Sequence, residues 1–434
     1  MSFILFDGPA RYRFLPFTHT RPLADMRCGI LTMRERWELL LEAATGTLTE
    51  AYLQGVFPLH PEGAGITDRL KQLFEQRPGA SLPASQVSTP GSSMAHTYIN
   101  STLFATADMA KAVHDLQPGE ALMQDEVLIA YRTEQTLEHG KELETARQAI
   151  KVIGYTSFFR KLEQVWDLFS ANEQSIKDDF ALITTGRQSQ ELPAYVTALN
   201  PSNIFIEPGA KIYPCILNAV SGPIYIGKDA EIMDGSIIRG AFALGEHAVL
   251  KMGAKVYGGT TIGPGCKVGG EISNVVFFAN SNKGHDGFLG NAVIGEWCNL
   301  GADTNCSNLK NNYDEVKIWD EYEHRSVRTG LQFCGLLMGD HSKCGINTMF
   351  NTGTVAGISC NIYGGGFPEK FIPSFSWGGS DGMTTYTLEK ALDTANRMMV
   401  RRNRQLSAGE KAVLQHVFER TAKQRNLMNV TQQP

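Results

Sequence analysis

A repeat of six residues runs through the middle of this chain. From residue 226 to residue 268 every sixth position is aliphatic, and the fifth place of each six is a small residue except at Phe242. The aliphatic positions are Ile226, Ile232, Ile238, Leu244, Leu250, Val256, Ile262 and Val268. Helices repeat at 3.6 residues and strands at 2, so neither produces this spacing. A hexapeptide repeat predicts a β-helix of triangular coils, with the aliphatic residue inside and the small residue at the corner.

The repeat extends in both directions with two breaks. It begins near Ile206 and Ile212, breaks at residues 271–287, and breaks again over a polar stretch at 308–332. After the first break it resumes two residues out of register, at Phe288, Ile294, Leu300 and Cys306. After the second it continues at Met338, Cys344, Phe350, Ala356 and Ile362. Breaks in a repeat usually form loops outside a solenoid, often on its binding face, so we expect two external loops.

The segment before the repeat has the mixed pattern of an α/β domain. Apolar runs at 3–6, 98–104 and 126–131 predict strands, and residues 31–43 and 158–177 predict helices. The Pro/Ser/Gly-rich segment 80–95 predicts a loop.

After Gly379 the repeat stops, and residues 388–402 and 409–423 predict two helices. The second begins with a capping box, Ser407 with Glu410. We expect this tail to close the open end of the solenoid or to pack on a neighbouring subunit. The predicted organisation is therefore an α/β domain over 1–190, a β-helix over 191–379 and a helical tail over 380–434.

Composition limits the classes of partner. The 434 residues carry a net charge of -5 and 42% hydrophobic residues, so no general affinity for nucleic acid or an anionic membrane is expected. The apolar start is too short for a signal peptide, and no apolar run approaches a membrane span, which predicts a cytoplasmic protein. The eight cysteines form no C-x-x-C pair and are expected to be reduced packing residues.

Two loops carry candidate chemistry. The stretch 282–290 places His285 at the end of the first break, where an imidazole can act as a general base, although a solvated loop histidine has the same pattern. The loop 16–30 follows the first strand and contains Arg21 and Arg27. Ligands bind at the carboxyl ends of strands in α/β sheets, so these guanidinium groups can meet a phosphate or be ordinary surface arginines.

The run Asn-Lys-Gly-His at 282–285, followed by the hexad that carries Asn299, resembles the acetyltransferase half of the GlmU family. The resemblance is strongest over the solenoid. It implies a left-handed parallel β-helix, acetyl-CoA as co-substrate, a homotrimer with sites between subunits, and His285 as the general base. The whole chain resembles GlmU-like proteins that make UDP-N-acetylglucosamine and have a shortened, divergent front domain.

The resemblance also implies a substrate site, with three departures from the family. The family's loop lysine falls at Asn282, one place before Lys283; its substrate tyrosine falls at Phe288; and the tyrosine of its Asn-Tyr pair falls at Leu309. A later family lysine has two candidates here, Lys310 and Lys317. The implied substrate-binding residues are Lys283, Phe288, Asn299, Asn308 and Lys310, with Ala302 contacting acetyl-CoA through its backbone.

In the front domain, Thr20-Arg21-Pro22 corresponds to the Thr-Arg of sugar pyrophosphorylases, but the family's glycine-rich loop and Pro-Lys are missing. If this domain is active, the resemblance implies UTP or dTTP as substrate and Mg²⁺ as cofactor, and Asp7 and Asp25 are the candidate ligands. The glycines matter because their backbone N–H groups hold phosphates.

Three alternatives remain at the level of sequence. The chain can be a nucleotidyltransferase with a purely structural or regulatory β-helix, or a non-catalytic scaffold that binds sugar nucleotides. A third alternative, the zinc-dependent γ-class carbonic anhydrase, also has a triangular solenoid. It needs three converging histidines, and His247, His285 and His341 lack the close pair which that class uses.

Overall fold

A computed structural model of the chain describes residues 2–60, 71 and 95–432. The front of the chain is built on a six-stranded mixed sheet with strand order β2-β1-β3-β5-β4-β6. Its strands are Ser2–Phe6 (β1), Thr45–Leu48 (β2), His96–Asn100 (β3), Glu120–Gln124 (β4), Val127–Thr133 (β5) and Lys151–Gly154 (β6). Strand β1 runs parallel to β2 and β3, and β5 runs antiparallel to β3 and β4. The predicted strands are confirmed, with shifted ends at 98–104 and 126–131.

Among the described residues of this part of the chain, helices connect or follow the strands. They are Met33–Leu41 (α1), Ala107–Asp115 (α2), Glu142–Ala146 (α3), Asp167–Ser170 (α4) and Asn172–Thr184 (α5). Short 3-10 turns occur at Gly8–Phe14, Phe17–His19, Leu23–Asp25, Ala51–Leu53 and Pro201–Asn203. The helix predicted at 31–43 is confirmed, and Thr32 and Glu35 form its capping box.

The prediction of a helix at 158–177 was wrong for its first part. Residues 158–166 are not helical, because this stretch is held by the chain that follows β3: Phe104 N–H donates to the Arg160 carbonyl at 3.0 Å, and Leu162 N–H to the Thr102 carbonyl at 2.8 Å. The loop predicted at 80–95 lies outside the described residues except for Ala95.

The middle of the chain is a parallel β-helix with three faces, which confirms the fold predicted from the hexapeptide repeat. The left-handed sense of this β-helix stays a prediction. The first face comprises Ile204–Ile206, Ile224–Ile226, Phe242–Leu244, Thr260–Ile262, the ends of Glu271–Phe277 and Phe288–Ile294, Leu337–Met338, Val355–Ala356 and Phe371–Ile372. The second face comprises Lys211–Ile212, Glu231–Ile232, Val249–Leu250, Lys267–Val268, Asn282–Lys283, Asn299–Leu300, Lys343–Cys344, Asn361–Ile362 and Ser376–Gly379, and Gly382–Thr385 pairs antiparallel with its last strand. The third face comprises Thr197–Leu199, Ile216–Asn218, Ile237–Arg239, Lys255–Val256, the starts of Glu271–Phe277 and Phe288–Ile294, Asn305–Cys306 and Met349–Phe350.

The first break in the repeat is not an external loop, so that prediction was wrong. Glu271–Phe277 and Phe288–Ile294 are continuous strands that turn from the third face to the first at Asn274 and Asn291, both with positive φ. Single-residue corners shorten these coils and shift the period. As a result Leu289 points into the core, and Phe288 lies on the outside.

The second break is a true excursion. Residues 308–332 leave the wall and form an antiparallel hairpin, Lys317–Asp320 with Arg325–Arg328, before the coils resume at Leu337–Met338. All five inward positions predicted after this break, from Met338 to Ile362, are buried in the core of the β-helix.

The tail forms three helices, Leu388–Val400 (α6), Ala408–Arg420 (α7) and Ala422–Leu427 (α8), and the predicted capping box at Ser407 and Glu410 is present. The tail packs beside the corner between the first and second faces, in a cluster with Trp297, Ile358 and Phe375. It therefore lines the side of the solenoid and also contacts Leu53 of the front domain.

The front domain covers the outside of the first face. At one end Phe205 and Tyr225 pack with Ile176 and Ile183 of α5, and at the other Val276 and Val293 pack in a cluster with Phe169. The third face has no such cover among the described residues. The boundaries proposed for the three units stay a prediction.

All eight cysteines are buried and free, which agrees with packing residues. Burial raises the pKa of their thiols, to about 11 for Cys28 and about 12 for Cys266. Among the described residues, the helices include none with the length and apolar character needed to cross a bilayer.

Candidate functional site

The His285 corner, residues 284–287, joins the second face to the third. It connects Asn282–Lys283 with Phe288–Ile294, and both strands continue the parallel ladders on their own faces. His285 is exposed, and so is Asp286. The wall thus presents an imidazole to solvent at an edge of the prism, where a ligand lying along the third face can meet it.

Lys283 occupies an unexpected place directly before this corner. It takes the inward position that Val268 holds on the preceding coil, and its side chain is 0% exposed. Its ammonium donates to the carbonyls of His285 at 2.8 Å, Asp286 at 3.1 Å and Gly269 at 3.5 Å. Burial lowers the pKa of Lys283 to about 8, and the Asp286 carboxylate partly opposes that effect. Lys283 is therefore not a surface contact in this structure.

The corner at residues 301–304 stacks directly on the His285 corner. Asp303 N–H donates to the Asp286 carbonyl at 3.1 Å, which brings the half-buried Ala302 next to the coil of His285. Gly287 makes this stacking possible, since its φ is +112° and an added Cβ would lie 2.2 Å from the Thr304 carbonyl oxygen.

Asn305 also lies beside the His285 corner, although its sequence context did not single it out. Its amide oxygen accepts from Phe288 N–H at 2.8 Å, and its amide nitrogen donates to the Asp303 carbonyl at 2.9 Å. It thereby ties the two stacked corners together on the third face. The available signal was its spacing, since Asn305 stands one hexad after Asn299.

Asn299 lies on the second face, in register with Asn282. The Asn282 amide donates to Asn299 Oδ1 at 3.3 Å, and Arg402 of the tail donates to Asn282 Oδ1 at 2.8 Å. The structure thus places this pair beside the tail, on the face adjoining the His285 corner.

Asn308 and Lys310 lie at the opposite edge of the third face from His285. Asn308 donates through its amide to Asn291 Oδ1 at 2.8 Å, and Lys310 Nζ donates to the Glu315 carbonyl at 2.5 Å. Phe288 lies on the face between the two edges. His285, Phe288 and Asn308 therefore lie across the third face, whereas Asn299 lies on the second face.

Arg21 joins the front domain to the β-helix. Its guanidinium donates to Glu296 Oε1 at 2.7 Å and to the Asp340 carboxylate, and Thr20 Oγ1 donates to Asp340 at 2.7 Å. Nearby, the buried His19 and Glu321 are 3.0 Å apart. The charge that was predicted to meet a nucleotide is neutralised by two carboxylates of the solenoid.

Arg27 also points into the protein. It is 7% exposed and donates to the Ile30 carbonyl at 2.6 Å, with Glu35 at 3.7 Å. Nucleotide binding by Arg21 and Arg27 stays a prediction that has no support from their present contacts.

The two aspartates that were candidate Mg²⁺ ligands are already engaged. Asp7 accepts from Arg11 at 3.0 Å, from Thr49 at 2.5 Å and from the backbone N–H of Leu23 at 2.7 Å. Burial raises the pKa of Asp7 to about 6 despite these partners. Asp25 forms a two-bond ion pair with Arg34.

Within the described ranges, no three His, Cys, Asp or Glu side chains converge on a metal position. Asp7 and Asp25, which are held in the contacts above, do not fit a Mg²⁺ site.

Residues 3–188 match a family model described as sugar nucleotidyl transferase. A bifunctional sugar-1-phosphate nucleotidylyltransferase/acetyltransferase of Sulfurisphaera tokodaii is 26% identical over 250 residues, which cover 57% of this chain and 55% of the relative. The bifunctional protein GlmU of Micrococcus luteus is 23% identical over 234 residues, covering 49% of this chain and 43% of the relative. Over these spans the chain is similar to GlmU-type bifunctional proteins.

The chain spans about half the length of these two bifunctional relatives. An uncharacterized acetyltransferase, YaiX of Escherichia coli, is 26% identical over 188 residues, covering 43% of this chain and 79% of the relative. The names of these relatives combine nucleotidyl transfer with acetyl transfer, or give acetyl transfer alone.

Proposed function

We propose that the β-helix transfers an acetyl group from acetyl-CoA to the amine of an amino sugar phosphate, with His285 as the general base. The observation that carries this proposal is the exposed imidazole at a corner whose backbone is fixed by Lys283 from inside and by Asp303 from the next coil. A base must be accessible to substrate and held in place, and His285 meets both conditions.

In the proposed reaction, His285 takes a proton from the substrate amine as its nitrogen attacks the thioester carbonyl. A C–N bond forms, the C–S bond breaks, and the proton passes from the imidazolium to the departing thiolate. Backbone N–H groups at the stacked corners are suited to stabilise the oxyanion. General base catalysis of this kind contributes about 10²- to 10⁴-fold.

We further propose that the site is completed by a second copy in a homotrimer, with the third faces packed together. The support is an uncovered apolar surface: Leu199 is 43% exposed, Ile216 38% and Ile237 47%. Ile216 and Ile237 are direct partners on neighbouring strands of the third face, and Leu199 lies on the strand before them, in register with Asn218. The same face carries the His285 corner at its edge. Apolar area of this kind on a sheet face favours association.

The test is acetyl transfer by His285→Ala, with His247→Ala as the control. His247 is another exposed corner histidine of the solenoid, at the corner between the first and second faces. The assay follows thiol release from acetyl-CoA with glucosamine phosphates as acceptors. We expect His285→Ala to lose at least about 100-fold in kcat and His247→Ala to keep the parental rate. Parental turnover in His285→Ala would remove the assignment.

The match of residues 3–188 favours a second candidate activity, nucleotidyl transfer by the front domain. Together the two activities would make an activated amino sugar nucleotide such as UDP-N-acetylglucosamine. Pyrophosphate release from UTP or dTTP with a sugar phosphate and Mg²⁺ tests this candidate. If acetyl transfer is observed but pyrophosphate release is not, the front domain would have a structural role only. Binding of sugar nucleotides without turnover in either assay would favour a scaffold.

A further inference from the structure

We infer that Lys283 is a positioning residue for His285: its buried ammonium fixes the backbone of the His285 corner and thereby the direction of the imidazole. This inference rests on the proposed role of His285. It assigns to Lys283 an action from inside the wall, in place of the substrate contact that the resemblance implied.

The location of Lys283 is the first argument. Every other inward residue of the second face from Ile212 to Ile362 is aliphatic or a cysteine, and Lys283 alone places an amine in the prism core. Desolvating an ammonium is costly unless it is paired or hydrogen-bonded. A lysine here lowers the stability of the core, so its presence calls for a local role.

The direction of its hydrogen bonds is the second argument. Two of the three acceptors, the carbonyls of His285 and Asp286, belong to the corner that carries the imidazole, and the third belongs to the corner below. Charged donors form hydrogen bonds about twice as strong as neutral ones. With the ammonium present, the corner peptides are drawn inward, and the His285 side chain is left outside.

The groups facing Lys283 are the carboxylates of Asp286 and Asp303 and the thiol of Cys344, together with the three carbonyls. Burial lowers the pKa of Lys283 to about 8. As pH rises through that value, the ammonium becomes a weaker neutral donor. The hold on the corner should therefore weaken between pH 7 and pH 9.

The first experiment does not depend on activity. Deuterium exchange of the segment 284–290, corrected for intrinsic rates, is measured in the full chain at pH 7 and pH 9. We expect the parental protein to lose protection of this segment about fivefold or more at pH 9, and Lys283→Met to lack that protection at both values. Unchanged protection in Lys283→Met, or in the parental chain across the pH range, would overturn the inference. The parental comparison needs no substitution, so it stands even if Lys283→Met does not fold.

Lys343→Met is the matched control. Burial also lowers the pKa of Lys343 to about 8, and its ammonium donates to a corner carbonyl, that of His341, at 2.8 Å. That corner joins the first face to the second, away from the His285 corner. Loss of the Lys343 ammonium should therefore leave deuterium exchange at 284–290 at the parental level. Equal loss in both variants would indicate a general effect of buried lysines and would contradict a specific role.

The second experiment follows acetyl transfer against pH. In the parental chain we expect kcat to fall above pH 8. In Lys283→Met we expect this fall to be absent. The kcat of Lys283→Met should also be lower by about tenfold or more, while its KM for acetyl-CoA is unchanged. A Lys283→Met profile that superimposes on the parental one would refute positioning, even if His285→Ala is inactive. If His285→Ala retains activity, the proposed function fails instead, and the exchange experiment still reports on the corner.

Discussion

Arg21 of the front domain donates to Glu296 of the β-helix at 2.7 Å, across the seam between two parts of the chain. The Arg21 side chain is 8% exposed, and its second partner, Asp340, is 5% exposed. Removing one member of a buried ion pair leaves the other charge uncompensated. This contact therefore links the stability of the front domain to that of the solenoid.

We expect Arg21→Met to lower the free energy of unfolding by about 3–5 kcal/mol, because it strands two carboxylates. Urea denaturation at pH 7 measures this change. The control is Arg147→Met, whose ion pair with Glu126 is 60% and 83% exposed and should contribute less than about 1 kcal/mol. A stable Arg21→Met protein that has lost only UTP binding would instead support the nucleotide role of this residue.

Alanine substitutions at the two glycines on either side of His285 should have very different effects on stability and activity. Gly287→Ala places a Cβ 2.2 Å from the Thr304 carbonyl oxygen at a φ of +112°, whereas a Cβ on Gly284 meets no atom within 4 Å. We expect Gly287→Ala to cost about 1–3 kcal/mol or more and to reduce acetyl transfer through displacement of the corner. Gly284→Ala should fold with parental stability. Thermal unfolding and kcat measure both effects, and equal behaviour of the two variants would contradict the close stacking of Gly287 on Thr304.

His341 should make the chain sensitive to acid. Burial lowers the pKa of His341 to about 3, with Lys343 adding to the effect, while its unfolded value is the ordinary 6.5. Between these values the unfolded chain binds more protons, so stability is lost as pH falls from 6.5 towards 3. The slope is at most about 1.4 kcal/mol per pH unit for one proton.

The matching substitution is His341→Asn, since this residue has a φ of 62° and asparagine tolerates that conformation. We expect the variant to lose less stability between pH 7 and pH 4.5 than the parental chain, as measured by urea midpoints. His247→Asn is the control, because His247 has a φ of 55° but is exposed. An identical pH slope in parental and His341→Asn proteins would show that another group is responsible.

The uncovered third face gives a test of association. Ile216→Glu adds a charge to that face, and Ile150→Glu adds one to a front-domain residue that is 89% exposed. If third faces meet in a trimer, Ile216→Glu should shift the mass in solution from three copies towards one, and Ile150→Glu should not. Light scattering measures both. A parental chain that is already a monomer would reject the proposed shared site.

The hexapeptide repeat predicted the core of the β-helix well, because the position of a residue within the six-residue period decides whether its side chain points inward. The repeat did not predict which outer face is covered, since both faces carry large hydrophobic side chains: Phe205 and Tyr225 on the covered face, and Ile216 and Ile237 on the open one. Cover comes from distant parts of the chain, here α5 and the loop before α1. A loss of period at 271–287 also has two physical causes, an inserted loop or a shortened corner, and only the structure distinguishes them.

For the proposed site, the sequence indicated the exposure of His285 better than it indicated the contacts of the surrounding residues. The exposed position of His285 follows from a corner flanked by glycines, which local sequence can indicate. The inward direction of Lys283 could not be predicted, because it depends on the same shortened corners that displaced Phe288 outward. The inward contacts of Arg21 and Arg27 could not be predicted either, since their acceptors in the solenoid and in the turn at Ile30 become neighbours only after folding.

The buried thiols have a practical consequence. With every native cysteine enclosed and its pKa raised, the folded chain should be nearly silent to maleimide dyes. A single cysteine introduced at the exposed Asp286 would then take up a fluorophore alone, next to the imidazole. Such a probe would report ligand arrival at that edge directly, with little background from the native cysteines.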